Sequence, residues 1–159
     1  MNYLIDLQNV SDKDLPFPEK MLISWAELPL SHQLAKAELT LRFVSIEEMT
    51  SLNGTYRKQD KPTNVLAFPA SIPAEIELDY PLLGDVVICP DVLSIESEQQ
   101  QKALDFHWAH IIIHGVLHLL GFDHIKDSDA AVMKETEVKL LAKLGFANPY
   151  QEEEEQQIE

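Results

Sequence analysis

The sequence predicts a single α+β domain in residues 1–150, with a mixed four-stranded sheet packed against several helices, followed by an acidic, disordered tail at 151–159. Strand-like and helix-like segments interleave without the strict alternation of a doubly wound fold. A chain of 159 residues with 45% hydrophobic content can bury a substantial core as one domain. No internal repeat or linker divides it.

The first half of the chain predicts two strands and two helices. The helix after the first strand should end before Pro29, because proline interrupts the helical hydrogen-bond ladder. The second strand alternates strictly, so Leu39, Leu41 and Phe43 should share one face. The predicted ranges are a strand at 2–8, a helix at 19–28, a strand at 38–45 and a short helix at 46–52, which ends before Asn53-Gly54.

The second half predicts two more strands and a run of helices. A Pro-rich acidic loop separates the strands. A last amphipathic helix should begin at Asp127 or Ser128 and end before Gly145. The predicted ranges are strands at 63–68 and 84–89, a helical region from residue 90 with a break near residue 101, and a final helix at 128–144.

The net charge of the chain restricts the partners that it can bind through general electrostatic attraction. The formal net charge is −15, and phosphate contacts normally come from lysine and arginine, so general binding to nucleic acid is disfavoured. Arg57, Lys58 and Lys61 nevertheless form one local cationic patch. The sequence therefore leaves room for a focused anion site.

Cysteine content and hydropathy predict a cytoplasmic protein. Cys89 is the single cysteine, which excludes an internal disulfide and fits a reducing compartment; its apolar surroundings favour packing over reactivity. The sequence shows neither an export signal nor an uncharged apolar stretch long enough to span a membrane.

A histidine-rich stretch from Trp108 to His124, W-A-H-I-I-I-H-G-V-L-H-L-L-G-F-D-H, predicts a metal site. His114 and His118 are four residues apart, so on a helix they lie on one face and can share an ion. Gly121 can end the helix and let the chain return, which would bring His124 in as a third ligand. Three neutral imidazoles with an open fourth position, where water would bind, are typical of catalytic zinc.

Two further histidines, His107 and His110, lie in the same helical stripe. Their presence there is explained equally well by a solvated or hydrogen-bonded imidazole near the site and by a direct role. Asp85 and Asp123 could support a ligand histidine, or could be a strand-end surface charge and a turn residue. The sequence leaves these alternatives open.

Nearly the whole chain resembles the YbeY family of metal-dependent endoribonucleases, the rRNA maturation factors. The resemblance rests on four segments: I-D-L-Q, N-G-T-Y-R-K-Q-D-K-P-T-N-V-L-A-F-P, L-L-G-D-V-V-I-C and H-G-V-L-H-L-L-G-F-D-H. Asn64 stands where many members have Asp, and Phe122 where many have Tyr. Phe122 puts any role of that hydroxyl in doubt, whereas neither departure touches a proposed ligand.

The resemblance implies a zinc-dependent enzyme that cleaves single-stranded RNA. It implies one zinc ion on His114, His118 and His124, with His114 and Arg57 required for catalysis, although three histidines would also accept nickel or copper. Zinc can activate water or withdraw phosphoryl charge while Arg57 grips the phosphodiester, and the RNA 2′-hydroxyl is an alternative nucleophile. Implied roles are maturation of ribosomal RNA, notably the small-subunit 3′ end, and ribosome quality control.

Two other functions remain as alternatives. The His, His, Gly, His spacing matches the metzincin proteases, but Gly115 replaces their general-base glutamate, so a peptidase is disfavoured. The protein could instead be a ribosome-associated assembly factor with a structural metal, its acidic surface and tail meeting basic ribosomal proteins. Ribosomal particles or ribosomal proteins are thus predicted partners, and the sequence does not indicate an oligomeric state.

Overall fold

The computed structural model describes residues 2–73, 75–122 and 126–150. These residues form one mixed four-stranded sheet and five α-helices, which confirms the predicted α+β class. The strands are β1 (Asn2–Asn9), β2 (Lys36–Phe43), β3 (Val65–Pro69) and β4 (Leu82–Ile88). The helices are α1 (Glu19–Leu30), α2 (Ile46–Arg57), α3 (Pro90–Gln100), α4 (Leu104–Leu119) and α5 (Asp127–Lys143).

The sheet has the order β1-β2-β4-β3, in which β3 is antiparallel to β4 and the other pairings are parallel. The alternation predicted for β2 is confirmed, since Leu39, Leu41 and Phe43 are fully buried in one core cluster. Among the described strands β3 has a neighbour on one side only, so its second edge is open.

Helix α4 lies at the centre of the molecule and packs against α1, α3, α5, β3 and β4. A Cβ atom at Gly115 would come within 2.6 Å of Cγ1 of Val86 and 3.3 Å of Cγ2 of Val65. The glycine therefore lets α4 lie close against the sheet. As predicted, α4 is followed by Gly121, whose φ of 101° is in the left-handed region.

Two predicted helix ends are wrong. Helix α1 continues through Pro29 to Leu30, and both residues are buried, so packing in the last turn compensates for the missing hydrogen bond. Helix α2 continues through Asn53-Gly54 to Arg57. Buried Asn53 donates from Nδ2 to the carbonyl oxygen of Lys61 at 2.8 Å, which ties the helix to the following loop.

The break near residue 101 is confirmed, because Gln101 has a φ of 54° and separates α3 from α4. Helix α5 begins at Asp127, one of the two predicted starts, and Lys126 is its N-cap residue. The tail at 151–159 lies outside the described residues and stays a prediction. Within the described ranges, no helix is long and apolar enough to cross a membrane.

Candidate active site

A cleft of about 490 Å³ opens where the end of α2, the open edge of β3 and one face of α4 meet. Three of the four predicted site residues, Arg57, His114 and His118, line it together. The fourth, His124, lies outside the described residues, as does Asp123. The remaining lining residues are Tyr56, Asn64, residues 65–69 and Gly115.

The imidazoles of His114 and His118 face each other across one helical turn. Their Nε2 atoms are 3.1 Å apart. Two nitrogen ligands at zinc-ligand bond lengths and tetrahedral angles lie about 3.3 Å apart, so the pair is already close to the spacing that one ion needs. The described residues contain no group of three ligating side chains that could hold a metal, and the predicted third ligand, His124, lies outside them.

Glu137 of α5 holds the other side of the His114 ring. Its Oε1 atom lies 2.5 Å from Nδ1 of His114, and its carboxylate is fully buried. An ionised carboxylate only accepts hydrogen bonds, so Nδ1 carries the proton and the lone pair of Nε2 faces the cleft. Glu137 therefore sets the tautomer that a metal ligand requires.

The second oxygen of Glu137 is also engaged. The Tyr150 hydroxyl donates to Oε2, and Nε2 of His110 lies 3.5 Å from the same atom and 3.2 Å from the Tyr150 oxygen. Burial raises the pKa of Glu137, but hydrogen bonds from His110 and His114 and electrostatic interactions with the same two histidines outweigh it and lower the pKa from 4.5 to about 2. The carboxylate is therefore ionised at neutral pH, and His110 is hydrogen-bonded rather than solvated.

His107 belongs to a separate polar cluster behind β3. Its Nε2 atom lies 2.9 Å from Oε1 of Glu96, and Nδ2 of Asn64 donates to both Glu96 oxygens at 3.2 and 3.3 Å. His107 is buried, whereas Asn64 also lines the cleft. Of the two explanations for His107, the structure shows a hydrogen-bonded residue near the site.

Arg57 occupies the last turn of α2, and its exposed side chain lines the cleft. Among the described residues no carboxylate forms an ion pair with it. Lys58 and Lys61 follow at exposed positions, and Lys58 ends the helix in a left-handed conformation with a φ of 56°. Of the predicted cationic patch, Arg57 therefore lines the cleft, and the two exposed lysines follow it in the chain.

Asp85 does not support the histidines. Strand residues alternate between faces, and Val86 faces α4, where it packs against Gly115. Asp85 therefore points to the other face of β4, where it is exposed. Of the two explanations for Asp85, support for a ligand histidine and a surface charge at a strand end, the structure shows the second.

Sequence reasoning missed two residues of the site, Glu137 and Tyr56. Glu137 lies in the otherwise apolar stripe of α5 with Met133, Leu140 and Leu141, and a carboxylate in such a stripe was a usable signal. Nothing in the sequence indicated that Tyr56 belongs to the site, because the helix that carries it was predicted to end at residue 52.

The open edge of β3 forms the floor of the cleft. The amide of Cys89 donates to the carbonyl of Asn64, and the amide of Ala70 donates to the carbonyl of Leu83. In an antiparallel pair the hydrogen-bonded positions alternate, so the backbone groups of Val65 and Ala67 point away from β4. They therefore face the cleft.

A model of the family described as endoribonuclease YbeY matches residues 8–145 of this chain. The chain belongs to the endoribonuclease YbeY family. Proteins named endoribonuclease YbeY from Legionella pneumophila strains Corby, Lens and Paris are each 60% identical to it over 154 residues, covering 97% of this chain and 98% of theirs. YbeY membership confirms both the resemblance and the predicted endoribonuclease class.

A solved structure agrees with the fold. The solution structure of a Thermotoga maritima protein superposes with a TM-score of 0.60, at 24% sequence identity, covering 87% of each chain. At that identity the similarity supports the fold alone.

Proposed function

We propose that this YbeY protein is a cytoplasmic, metal-dependent endoribonuclease specific for single-stranded RNA. We further propose that it matures ribosomal RNA, including the small-subunit 3′ end, and acts in ribosome quality control. The observation that carries the proposal is the meeting of Arg57, His114 and His118 in one cleft of a chain of this family.

The proposed cofactor is one zinc ion held by His114, His118 and His124. Its support is the 3.1 Å separation of the two described Nε2 atoms and the tautomer that Glu137 imposes on His114. Zinc supplies Lewis acidity, which lowers the pKa of water and withdraws charge from a phosphoryl oxygen.

The chain's own residues position the RNA and balance its charge. Arg57 presents a planar set of donors that can grip a phosphodiester and stabilise the negative charge that develops on it. Because no described carboxylate neutralises Arg57, its charge is available to a phosphate. Lys58 and Lys61 extend the positive electrostatic potential along the bound RNA strand.

The dimensions of the cleft support a single-stranded substrate. A volume of about 490 Å³ is that of a small-ligand pocket and far too small for a double helix. An extended strand can lie along the open edge of β3, in the cleft that Arg57 and the two histidines also line.

Ribosomal particles are the proposed partners. A loop of the protein exposes Ile76 and Leu78 between the acidic residues Glu75, Glu77 and Asp79. Exposed apolar groups between negative charges suit a basic protein surface, and a ribosome-associated assembly role would use the same contact.

Deleting residues 151–159 should weaken binding to ribosomal particles without changing cleavage of a short RNA; unchanged binding would contradict a role for the tail.

The test of catalysis is cleavage of end-labelled single-stranded RNA by the purified protein, with chelator and after zinc is restored. His114→Ala and Arg57→Ala should each abolish cutting, and His32→Ala, an exposed histidine outside the cleft, should not. Equal cutting by wild type, H114A and R57A would indicate a contaminating nuclease. A zinc-loaded wild type that does not cut would overturn the catalytic proposal in favour of an assembly factor.

A further inference from the structure

We infer that Tyr56 is a stacking platform for a nucleobase beside the phosphate that Arg57 binds. The inference rests on the proposed RNA substrate and identifies the part of the cleft that recognises a base. Two consecutive residues of α2 would then hold the two chemical parts of one nucleotide, an aromatic face for the base and a guanidinium for the phosphate.

The first observation is the exposure of Tyr56. Its relative exposure is 63%, the largest of any large hydrophobic residue in the described part of the chain. It is not on a remote surface, because it lines the same cleft as Arg57, His114 and His118. An aromatic ring kept in water at the mouth of an active site is available to a ligand with a flat apolar face.

The second observation is that the ring is held in place. Tyr56 packs edge-to-face against Phe68 of β3, with centroids 4.9 Å apart and an interplanar angle of 66°. Phe68 itself packs against the small core cluster between α2 and the sheet. An anchored ring loses little conformational entropy when a base stacks on it, so more of the stacking energy appears as affinity.

The chemistry of the surroundings selects a nucleobase. A phosphate bound at Arg57 carries a sugar and base within reach of the adjacent side chain, and stacking on an aromatic residue tolerates every base. Bases in a duplex have both faces covered by their neighbours, whereas bases of a single strand do not. A platform at this position therefore gives a physical reason for preferring single strands.

The experiment measures binding of short, fluorescently labelled single-stranded RNAs by anisotropy, with chelator present to prevent cleavage. One RNA is intact, and the others carry an abasic residue at each position in turn. At one position the abasic residue should weaken wild-type binding by about 5- to 150-fold, the range expected for one base on one aromatic ring. Tyr56→Ala should bind the intact RNA as weakly as wild type binds that abasic RNA, and should be insensitive to the abasic residue.

Three variants separate the ring from other effects. Tyr56→Phe keeps the ring and should retain the sensitivity to the abasic residue. Tyr56→Leu keeps an apolar contact with Phe68 but has no aromatic face, so it should behave like Y56A even where Y56A is poorly folded. Tyr80→Ala removes a tyrosine outside the cleft and should bind like wild type.

Several results would overturn the inference. It fails if Y56A and Y56L bind intact RNA as tightly as wild type, if Y56F loses as much affinity as Y56A, or if abasic RNA weakens Y56A as strongly as wild type. It also fails if zinc-loaded wild type cleaves RNA while binding never depends on a base at Tyr56. If binding depends on a base at Tyr56 but the zinc-loaded protein cleaves no RNA, the catalytic proposal is refuted and the inference about Tyr56 stands.

Discussion

The Nδ1 atom of His114 lies 2.5 Å from Oε1 of Glu137, which links the central helix α4 to α5 through a fully buried carboxylate. The same carboxylate accepts a hydrogen bond from Tyr150. A predicted metal ligand is thus oriented by a residue 23 positions away in the chain. The affinity of the site for metal should depend on that carboxylate.

Replacing Glu137 with glutamine should weaken zinc binding by roughly 10- to 100-fold, the usual effect of removing the carboxylate behind a ligand histidine. The amide no longer fixes the Nδ1–H tautomer or raises the basicity of Nε2. Competition with a chromophoric chelator measures the affinity directly.

Glu96→Gln is the matched control, because Glu96 pairs with the buried, non-ligand His107. It should leave the zinc affinity near that of wild type. An equal loss in E96Q and E137Q would show a general effect of removing a histidine-paired carboxylate.

The metal-free protein should lose stability as the pH falls from about 4.5 toward 2. The pKa of Glu137 is lowered from 4.5 to about 2 in the folded state, so the unfolded chain binds the extra proton in this interval. The contribution is complete above the unfolded pKa and is lost as the pH falls through the folded pKa. Urea unfolding at a series of pH values should show a smaller decline for E137Q than for wild type; parallel curves would argue against an ionised Glu137.

Replacing Gly115 with alanine should destabilise the protein by about 1–3 kcal/mol, because the added Cβ would lie 2.6 Å from Val86 Cγ1 and force α4 away from the sheet. Gly54→Ala is the matched control, since Gly54 is at an exposed position of α2 and its Cβ would meet nothing closer than 3.8 Å. It should stabilise the protein by about 0.5–1 kcal/mol. Urea unfolding measures both, and equal effects in the two variants would contradict close packing at residue 115.

Cys89 should react with a thiol reagent only when the protein unfolds. It is fully buried, and burial raises the pKa of its thiol, so both access and thiolate formation are suppressed. The rate of reaction with Ellman's reagent should rise with urea along the unfolding transition. Rapid stoichiometric reaction in the absence of urea would contradict the packed position.

Short-range patterns of the sequence predicted much of the fold and part of the site. The pairing of His114 with His118 depends only on helical geometry, so their spacing sufficed to place them on one face. The strict alternation of β2 likewise identified its buried face. Both signals lie within a single element.

Features that depend on contacts between distant segments were not predictable. Asn53-Gly54 is typical of a turn, yet α2 continues to Arg57, because Asn53 is buried against the rest of the molecule and its side chain bonds to Lys61 beyond the helix end. Glu137 was recognisable as unusual in an apolar stripe, but its partner depends on how α5 docks on α4. The antiparallel pairing that leaves the edge of β3 open is also a tertiary property.

The open edge of β3 carries a hazard as well as a use. In the described part of the chain the outward backbone groups of Val65 and Ala67 have no neighbouring strand, and such groups are a template on which a strand of another molecule can assemble, which leads to aggregation. The strand is only five residues long and ends at Pro69, which has no amide hydrogen to offer. The short length of β3 and its terminal proline thus limit the growth of intermolecular sheets. The edge of the strand can therefore stay accessible to a ligand in the cleft.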